Sequence, residues 1–264
     1  EAMEAECNAV PAAVSLTASD TCDDSPSVSF VETVSDEICT GSYVLTRTWT
    51  AEDCAGNTNV HVQTINVSDT TAPAVADAID GTVECDGAGN ASDLEVWLAN
   101  NGGASATDAC GGVTWSNDFD ALSDDCGATG GAIVTFTATD DCGNATTTAA
   151  TFTIEDTTAP AVADAMNATV ECDGAGNASD LEVWLANNGG ASATDACGGV
   201  TWSNDFDALS DDCGATGGAI VTFTATDDCG NATTTAATFT IEDTTAPAVA
   251  DAMNATVECD GAGN

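Results

Sequence analysis

The chain consists largely of copies of itself. Residues 74–160 and 161–247 are the same 87-residue unit, and they differ only at Ile79/Met166, Asp80/Asn167 and Gly81/Ala168. The last 18 residues then repeat residues 160–177 letter for letter. Tandem copies add reach and valency to a tether or an adhesin, whereas an enzyme needs one active site. The repetition therefore predicts an array of similar modules with a mechanical or adhesive role.

The phrase DTTAP marks the boundaries between modules. It ends at Pro73, Pro160 and Pro247, each time after an apolar, threonine-rich run that is typical of a last strand. The predicted modules are a short, N-terminally incomplete one at 1–72, long copies at 73–159 and 160–246, and a truncated start at 247–264. Because 18 residues cannot form a sandwich alone, we expect either a longer array with export signals elsewhere, which the phase of the ends favours, or completion by a neighbouring chain.

The strand signals inside a long module are short and alternating. Along 132–139, Val134, Phe136 and Ala138 share one face and threonines share the other. The run 148–154 alternates in the same way, with one face formed by Ala150, Phe152 and Ile154. This pattern predicts an all-β fold of tandem immunoglobulin-like β-sandwiches, with about seven strands in each and disulfide staples.

One segment of each long module has helical rather than β periodicity. Ser92 and Glu95 have the spacing of a capping box, and Leu94, Trp97 and Leu98 follow at helical intervals before an Asn-Asn-Gly-Gly stop. We therefore predict one short inserted helix, with its twin at Ser179–Leu185. We interpret Trp97 and Trp184 as core packing rather than as sugar-binding platforms.

The charge balance excludes several classes of function. The chain has 44 acids against one base, Arg47, and it has no lysine, which gives a formal net charge of −43. Nucleic-acid binding needs cations that are absent here, and an anionic membrane surface is disfavoured for the same reason. His61 is the sole histidine, and the long copies contain neither histidine nor base. We therefore predict that the protein is not an enzyme, and that it does not insert into a membrane.

The 13 cysteines recur about four to a module, without the C-x-x-C spacing of zinc sites. They indicate disulfides and hence an extracellular or cell-surface location. Cys22 and Cys54 both miss the 87-residue phase by one residue in the same direction, which favours a bond between them. Four cysteines allow three connectivities; the pairing that this shift favours is Cys7–Cys39, Cys22–Cys54, Cys85–Cys126, Cys110–Cys142, Cys172–Cys213 and Cys197–Cys229.

Several phrases resemble HYR-like (hyalin-repeat-like) modules: ECNAVPA (6–12), RTWTAEDCAGN (47–57), ATDDCGN (138–144), DTTAP (156–160) and VECDGAGN (170–177). The resemblance implies an immunoglobulin-like fold and tandem arrays in giant secreted surface proteins of the Bacteroidota, some of them adhesins exported by the type IX system. It implies a structural repeat segment of a surface adhesin or filament. The alternative is a repeated carbohydrate- or protein-binding module that adheres through avidity, for which Trp115 and Trp202 are the residues to test.

Acidic loops near the predicted junctions indicate a calcium site. The loops 107–110 and 139–144 should lie at the end of the sandwich that faces the preceding module, beside the incoming linker. Carboxylates with linker carbonyls are calcium ligands, and a bound ion would stiffen the junction. The alternative is that these acids only cap turns. The predicted ligands are Asp69, Asp108, Asp140 and Asp141, and at the next junction Glu155, Asp156, Asp195, Asp227 and Asp228.

The phrase Asp-Thr-Thr resembles an O-glycosylation motif of the same bacterial group. It predicts Thr70, Thr157 and Thr244 as acceptors. The expected partners are the neighbouring modules, other copies of the chain in a filament, and a surface ligand such as a carbohydrate.

Overall fold

A computed structural model describes residues 2–256 of the chain. These residues divide into two compact units. Unit 1 runs to Thr157 and also includes Ala196–Gly198, and unit 2 holds Thr158–Asp195 and the residues from Gly199 onward. The first module and the first long copy both lie in unit 1.

The first module is built on one four-stranded sheet. Its strands are β1 (Met3–Glu6), β2 (Ser27–Cys39), β3 (Ser42–Glu52) and β4 (Thr58–Ser68), in the order β1-β4-β3-β2. Strand β1 runs parallel to β4, and the other neighbours are antiparallel. Side chains alternate between the two faces of a strand, and in β3 one face is buried at Leu45, Arg47 and Trp49. Its core consists of Leu45, Ile65 and Val67.

The first long copy has six strands, one fewer than the sequence predicts. They are β5 (Ala74–Ala76), β6 (Gly81–Glu84), β7 (Ser105–Thr107), β8 (Val113–Asn117), β9 (Gly130–Asp140) and β10 (Ala145–Glu155). Strands β6-β10-β9-β8 form one sheet and β5-β7 a second. The predicted inward residues Val134, Phe136 and Ala138 are fully buried. The all-β prediction of tandem sandwiches with one short helix in each long copy is confirmed.

The second long copy repeats this arrangement. Its strands are β11 (Ala161–Ala163), β12 (Ala168–Glu171), β13 (Ser192–Thr194), β14 (Val200–Asn204), β15 (Gly217–Asp227) and β16 (Ala232–Glu242), with the same two sheets. Residues 243–256 have no helix or strand. Most of the predicted truncated copy, including Cys259, lies outside the described residues.

The inserted helices are α1 (Ala91–Ala99) and α2 (Ala178–Ala186). The predicted capping box at Ser92 is wrong, because α1 begins one residue earlier. Asn90 precedes it with a φ of 48° and donates from Nδ2 to the Glu84 carbonyl (2.9 Å) and to the Asp93 carboxylate (3.0 Å). Asparagine tolerates this left-handed conformation better than most residues.

The packing role predicted for Trp97 is confirmed. Its ring centroid lies 5.3 Å from that of Phe136 and 5.3 Å from that of Phe152. Gly102 ends the helical segment with a φ of 62°, and a Cβ there would lie 3.0 Å from the Phe136 ring. A glycine is therefore required both by the backbone conformation and by the space. Trp184 makes the corresponding contacts in the second copy.

Candidate metal centre at the first module junction

The topology places several chain segments of the first module at the end from which the linker leaves. Strand β1 ends beside the end of β4, with Glu6 opposite Ser68. The β2–β3 turn lies at the same end, because Cys39 pairs with Ser42 and Tyr43 pairs with Val67. In the first long copy, the loop before β8 and the β9–β10 turn also share one end. The two ends are in contact, since the Asn144 side chain donates to the Asp69 carbonyl (3.1 Å).

Two disulfides cross this junction. Cys7 bonds Cys110 and Cys39 bonds Cys142, with Cα–Cα distances of 6.0 and 5.2 Å. Gly41 lies between them with a φ of 92°, and a Cβ there would be only 2.9 Å from the Cys110 Cβ. The close approach of the two modules thus depends on a glycine in the β2–β3 turn.

The predicted pairing within modules is therefore wrong. Cys85 bonds Cys197, and among the described residues Cys126 and Cys229 are also disulfide-bonded. Four thiols within residues 2–256 are free, so the predicted Cys22–Cys54 and Cys172–Cys213 bonds are not formed. The reason is geometric. Two cysteines at the same end of a module can keep a common phase in the sequence without bonding each other, and at the first junction each bonds a cysteine of the neighbouring module. The other overturned pairs are Cys7–Cys39, Cys85–Cys126, Cys110–Cys142 and Cys197–Cys229.

Beside the first disulfide, three of the predicted carboxylates come together. One oxygen from each of Asp69, Asp108 and Asp140 lies within 4.8 Å of the others. Asp69 follows β4, Asp108 follows β7, and Asp140 is the last residue of β9. Asp69 and Asp140 are only 6% and 5% exposed. We call these three residues the acidic cluster.

Each carboxylate of the acidic cluster is oriented by at least one backbone hydrogen bond to its Oδ1 atom. The Oδ1 atom of Asp69 accepts from the Thr71 N–H (3.2 Å), that of Asp108 from the Cys110 N–H (2.8 Å), and that of Asp140 from the Cys142 N–H (2.8 Å). The alternative prediction, that these acids only cap turns, therefore accounts for the three Oδ1 atoms. It leaves out Asp69 Oδ2, which is buried and has no hydrogen-bond partner. A buried, unpartnered carboxylate oxygen is costly unless something else binds it.

The carboxylates of the acidic cluster repel one another when no cation is bound between them. Burial, together with the charges of Asp108, Asp140 and Glu6, raises the pKa of Asp69 above its usual value. Desolvation also acts on Asp140, but hydrogen bonds from Asn144 and its neighbours outweigh it and lower the pKa of that residue. The chain has one Lys or Arg in total, and Arg47 is already paired with Glu32 at 2.8 Å.

The other predicted ligands lie outside this cluster. Asp141 accepts the Gly112 N–H (3.0 Å), and Asp228 accepts the Gly199 N–H (2.7 Å). Asp227 repeats the turn of Asp140 and accepts the Cys229 N–H (2.9 Å). Metal binding by these residues stays a prediction, as it does for Glu155, which is exposed, and for the half-buried Asp156 and Asp195.

The predicted glycosylation sites form a contact that sequence reasoning missed. Thr157 Oγ1 donates to the Glu84 carboxylate (2.9 Å), and Thr244 Oγ1 donates to Glu171 (2.7 Å). Thr70 makes the same contact with Glu6. In each module the glutamate directly before a cysteine thus holds the linker that leaves the module. The signal available in the sequence was that each of the first three modules has a Glu-Cys pair near its start and ends in Asp-Thr-Thr. Glycosylation of these threonines stays a prediction.

No protein-family model and no curated protein matches the chain. Among solved structures it is similar to Drosophila N-cadherin EC1–4, at 11% identity over 91% of this chain and 73% of that one, with a TM-score of 0.29. It is also similar to human CDH23 EC21–23, at 13% identity over 74% and 73%, with a TM-score of 0.29. These scores are too low to support an inference about function. Neither helix in the described part of the chain has the length and hydropathy needed to cross a membrane.

Proposed function

We propose that this chain is a stalk segment of an extracellular surface adhesin or filament, stiffened by calcium at the junctions between its modules. The observation that carries the proposal is the first junction. There, two disulfides cross between modules beside three converging carboxylates, one of which has a buried oxygen without a partner.

The cysteines and the few basic side chains of this chain support an extracellular location and a role other than catalysis. Disulfides persist outside the reducing cytosol, and here they form the junction itself. His61 is an exposed residue of β4, and Arg47 is buried and held by Glu32. We therefore infer a mechanical role, in which the protein holds its modules in place.

A cation at the acidic cluster must come from solution, because no side-chain cation is available to neutralise it. Calcium takes six to eight oxygen ligands at about 2.3–2.6 Å, so oxygens on opposite sides of one ion lie up to about 5 Å apart. The oxygens of the cluster, within 4.8 Å of one another, fit that requirement. Water and backbone carbonyls would supply the remaining ligands. Magnesium fits less well, because it requires a tighter octahedral shell and keeps most of its water.

A bound ion would add a mechanical constraint that the disulfides do not provide. Asp69 belongs to the linker, whereas Asp108 and Asp140 belong to the first long copy. The two disulfides join the modules at two points, about which they can still rock. An ion shared by the linker and the long copy fixes a further point, and it also removes the repulsion between the carboxylates.

The test is a calorimetric calcium titration of the full chain with its disulfides intact. Asp69→Asn should abolish one class of bound ion and leave the fold unchanged. The matched control is Asp53→Asn. Asp53 accepts the Asn57 N–H (2.8 Å) and side-chain amide (2.7 Å), as Asp140 does with Asn144, but it belongs to no carboxylate cluster among the described residues.

Two further results decide the proposal. Calcium should slow hydrogen exchange in the linker 69–73 of the parent chain and of Asp53→Asn, but not in Asp69→Asn. Equal calcium binding by the parent chain and Asp69→Asn would refute the site. Equal affinity for magnesium would refute its assignment to calcium.

A further inference from the structure

The two disulfides of the first module junction are attached directly to the carboxylates of the acidic cluster. We call these bonds, Cys7–Cys110 and Cys39–Cys142, the junction disulfides. Asp108 lies two residues before Cys110, and Asp140 lies two residues before Cys142. In both pairs the carboxylate accepts the N–H of the cysteine, at 2.8 Å. The two carboxylates of the long copy are therefore held by the same backbone segments that the disulfides connect to the first module.

The third carboxylate, that of Asp69, lies beside both junction disulfides on the linker. One of its oxygens lies within 4.8 Å of the sulfurs of Cys7 and Cys110. The Asp69 N–H donates to the Ser42 hydroxyl at 3.0 Å, and this hydroxyl lies 3.6 Å from the Cys142 sulfur. A change in either disulfide therefore acts on atoms that position Asp69.

The disulfides oppose the repulsion within the acidic cluster. A non-covalent contact across the junction is the hydrogen bond from the Asn144 side chain to the Asp69 carbonyl, at 3.1 Å. Such a bond contributes little net stability, because water competes for both groups. The three carboxylates repel one another when no cation is bound. Opening the junction disulfides removes the covalent restraint on this repulsion, so the linker and the long copy move apart.

We propose that calcium binding at the acidic cluster and closure of the two junction disulfides stabilise each other. This inference rests on the calcium site proposed above and adds its regulation by the redox state of the junction. Closed disulfides hold the three carboxylates in place, so less conformational freedom is lost when the ion binds. A bound ion in turn holds the linker against the long copy, which keeps the cysteines in position to bond.

The two effects are equal in size. Calcium binding and disulfide reduction form a closed thermodynamic cycle. The factor by which reduction weakens calcium binding is therefore the factor by which saturating calcium lowers the equilibrium constant for reduction. Couplings between linked sites are typically about 5- to 150-fold, and we expect a factor in this range.

The reductant for the test is dithiothreitol, a small dithiol. A thiolate of the reagent attacks one sulfur of a protein disulfide, which forms a mixed disulfide and releases the other protein sulfur. The second thiol of the reagent then displaces the bound protein sulfur, and the reagent leaves as a cyclic disulfide. Each protein disulfide thereby gains two electrons and two protons and becomes two thiols.

The first experiment equilibrates the full chain with mixtures of reduced and oxidised dithiothreitol, with saturating calcium or with a chelator. New thiols are alkylated and located by mass spectrometry of peptides. Calcium should lower the reduced fraction of both junction disulfides in the parent chain and in the control Asp53→Asn. It should leave both fractions unchanged in Asp69→Asn, which keeps the disulfides and loses the buried carboxylate.

The second experiment is a calorimetric calcium titration of the full chain without the junction disulfides. The substitutions are Cys7→Ser, Cys39→Ser, Cys110→Ser and Cys142→Ser. The dissociation constant of the site should rise by the factor found in the redox titration. The matched control, Cys22→Ser/Cys54→Ser, replaces two thiols that are free in this structure and should keep the dissociation constant of the parent chain.

The two experiments separate this inference from the calcium site itself. Equal factors in both experiments support the coupling. Calcium binding that depends on Asp69, with a redox titration that calcium does not shift, would overturn the coupling and leave the stalk proposal standing. No calcium binding by the parent chain would overturn both. The redox titration needs no cysteine variant, so it decides the coupling even if the serine variant does not fold.

Discussion

Removing the Cys39–Cys142 bond should destabilise the first module selectively, and the size of the effect follows from the chain path. When this module unfolds while the long copy stays folded, it is tethered at Cys7, at Cys39 and at the linker near Pro73. Two closed loops of about 32 and 34 residues result. Replacing both cysteines by serine merges them into one loop of about 66 residues, which by the loop-entropy relation frees about 3 kcal/mol of unfolded-state entropy.

Hydrogen exchange read by mass spectrometry measures this module by module. In Cys39→Ser/Cys142→Ser, peptides covering 42–52 and 58–68 should exchange roughly a hundredfold faster, since about 1.4 kcal/mol corresponds to a factor of ten. The control is Cys22→Ser/Cys54→Ser, which makes the same chemical change without removing a bond and should leave those rates unchanged. Unchanged exchange in the first variant would refute the reasoning, as would equal acceleration in the control.

Three further outcomes are expected. Phe136→Ala should lower the free energy of unfolding by about 3–5 kcal/mol, and Ile133→Ala, 76% exposed on the same strand, by less than about 0.5, in urea titrations. Because the pKa of Asp69 is raised, its own contribution to stability without calcium should fall as pH rises above 3.8, so the melting temperature of the parent chain should fall relative to that of Asp69→Asn, and the gain from calcium should grow. Asn90→Ala should weaken exchange protection of 91–99 by about 3 kcal/mol, and Asn90→Gly by about 1 less, because glycine keeps the left-handed backbone.

The sequence was informative wherever structure is set by local pattern. The burial of Val134, Phe136 and Ala138 follows from period-two alternation, which depends only on neighbouring residues and the pleat of a strand. The approach of Asp69, Asp108 and Asp140 was also predictable, because loop positions in a sandwich fix which acids meet the linker. The helix start was not, since Asn90 is held by the Glu84 carbonyl, and this contact leaves no mark in a capping pattern.

The disulfides could not be predicted from the phase of the cysteines alone. Phase reports which residues occupy equivalent places in a module, and bonded cysteines in this chain occupy places that are not equivalent. The separation between the cysteines of each module was the informative regularity. Cys7 and Cys39 are separated by the same number of residues as Cys110 and Cys142, so both junction bonds span 103 residues. Equal spans are expected when two like-built surfaces meet in a fixed orientation.

The chemistry of the junction explains why covalent bonds and acidic residues occur together. A chain with a net charge of −43 repels itself, and packing two such modules end to end brings carboxylates within 4.8 Å of one another. Burying apolar surface there would require large side chains, yet the turn that makes the contact contains Gly41. Disulfides maintain the contact regardless of charge and salt, while a bound cation would act only on the repulsion. Salt should therefore substitute in part for calcium in suppressing the motion of the linker, but it should not substitute for the disulfides.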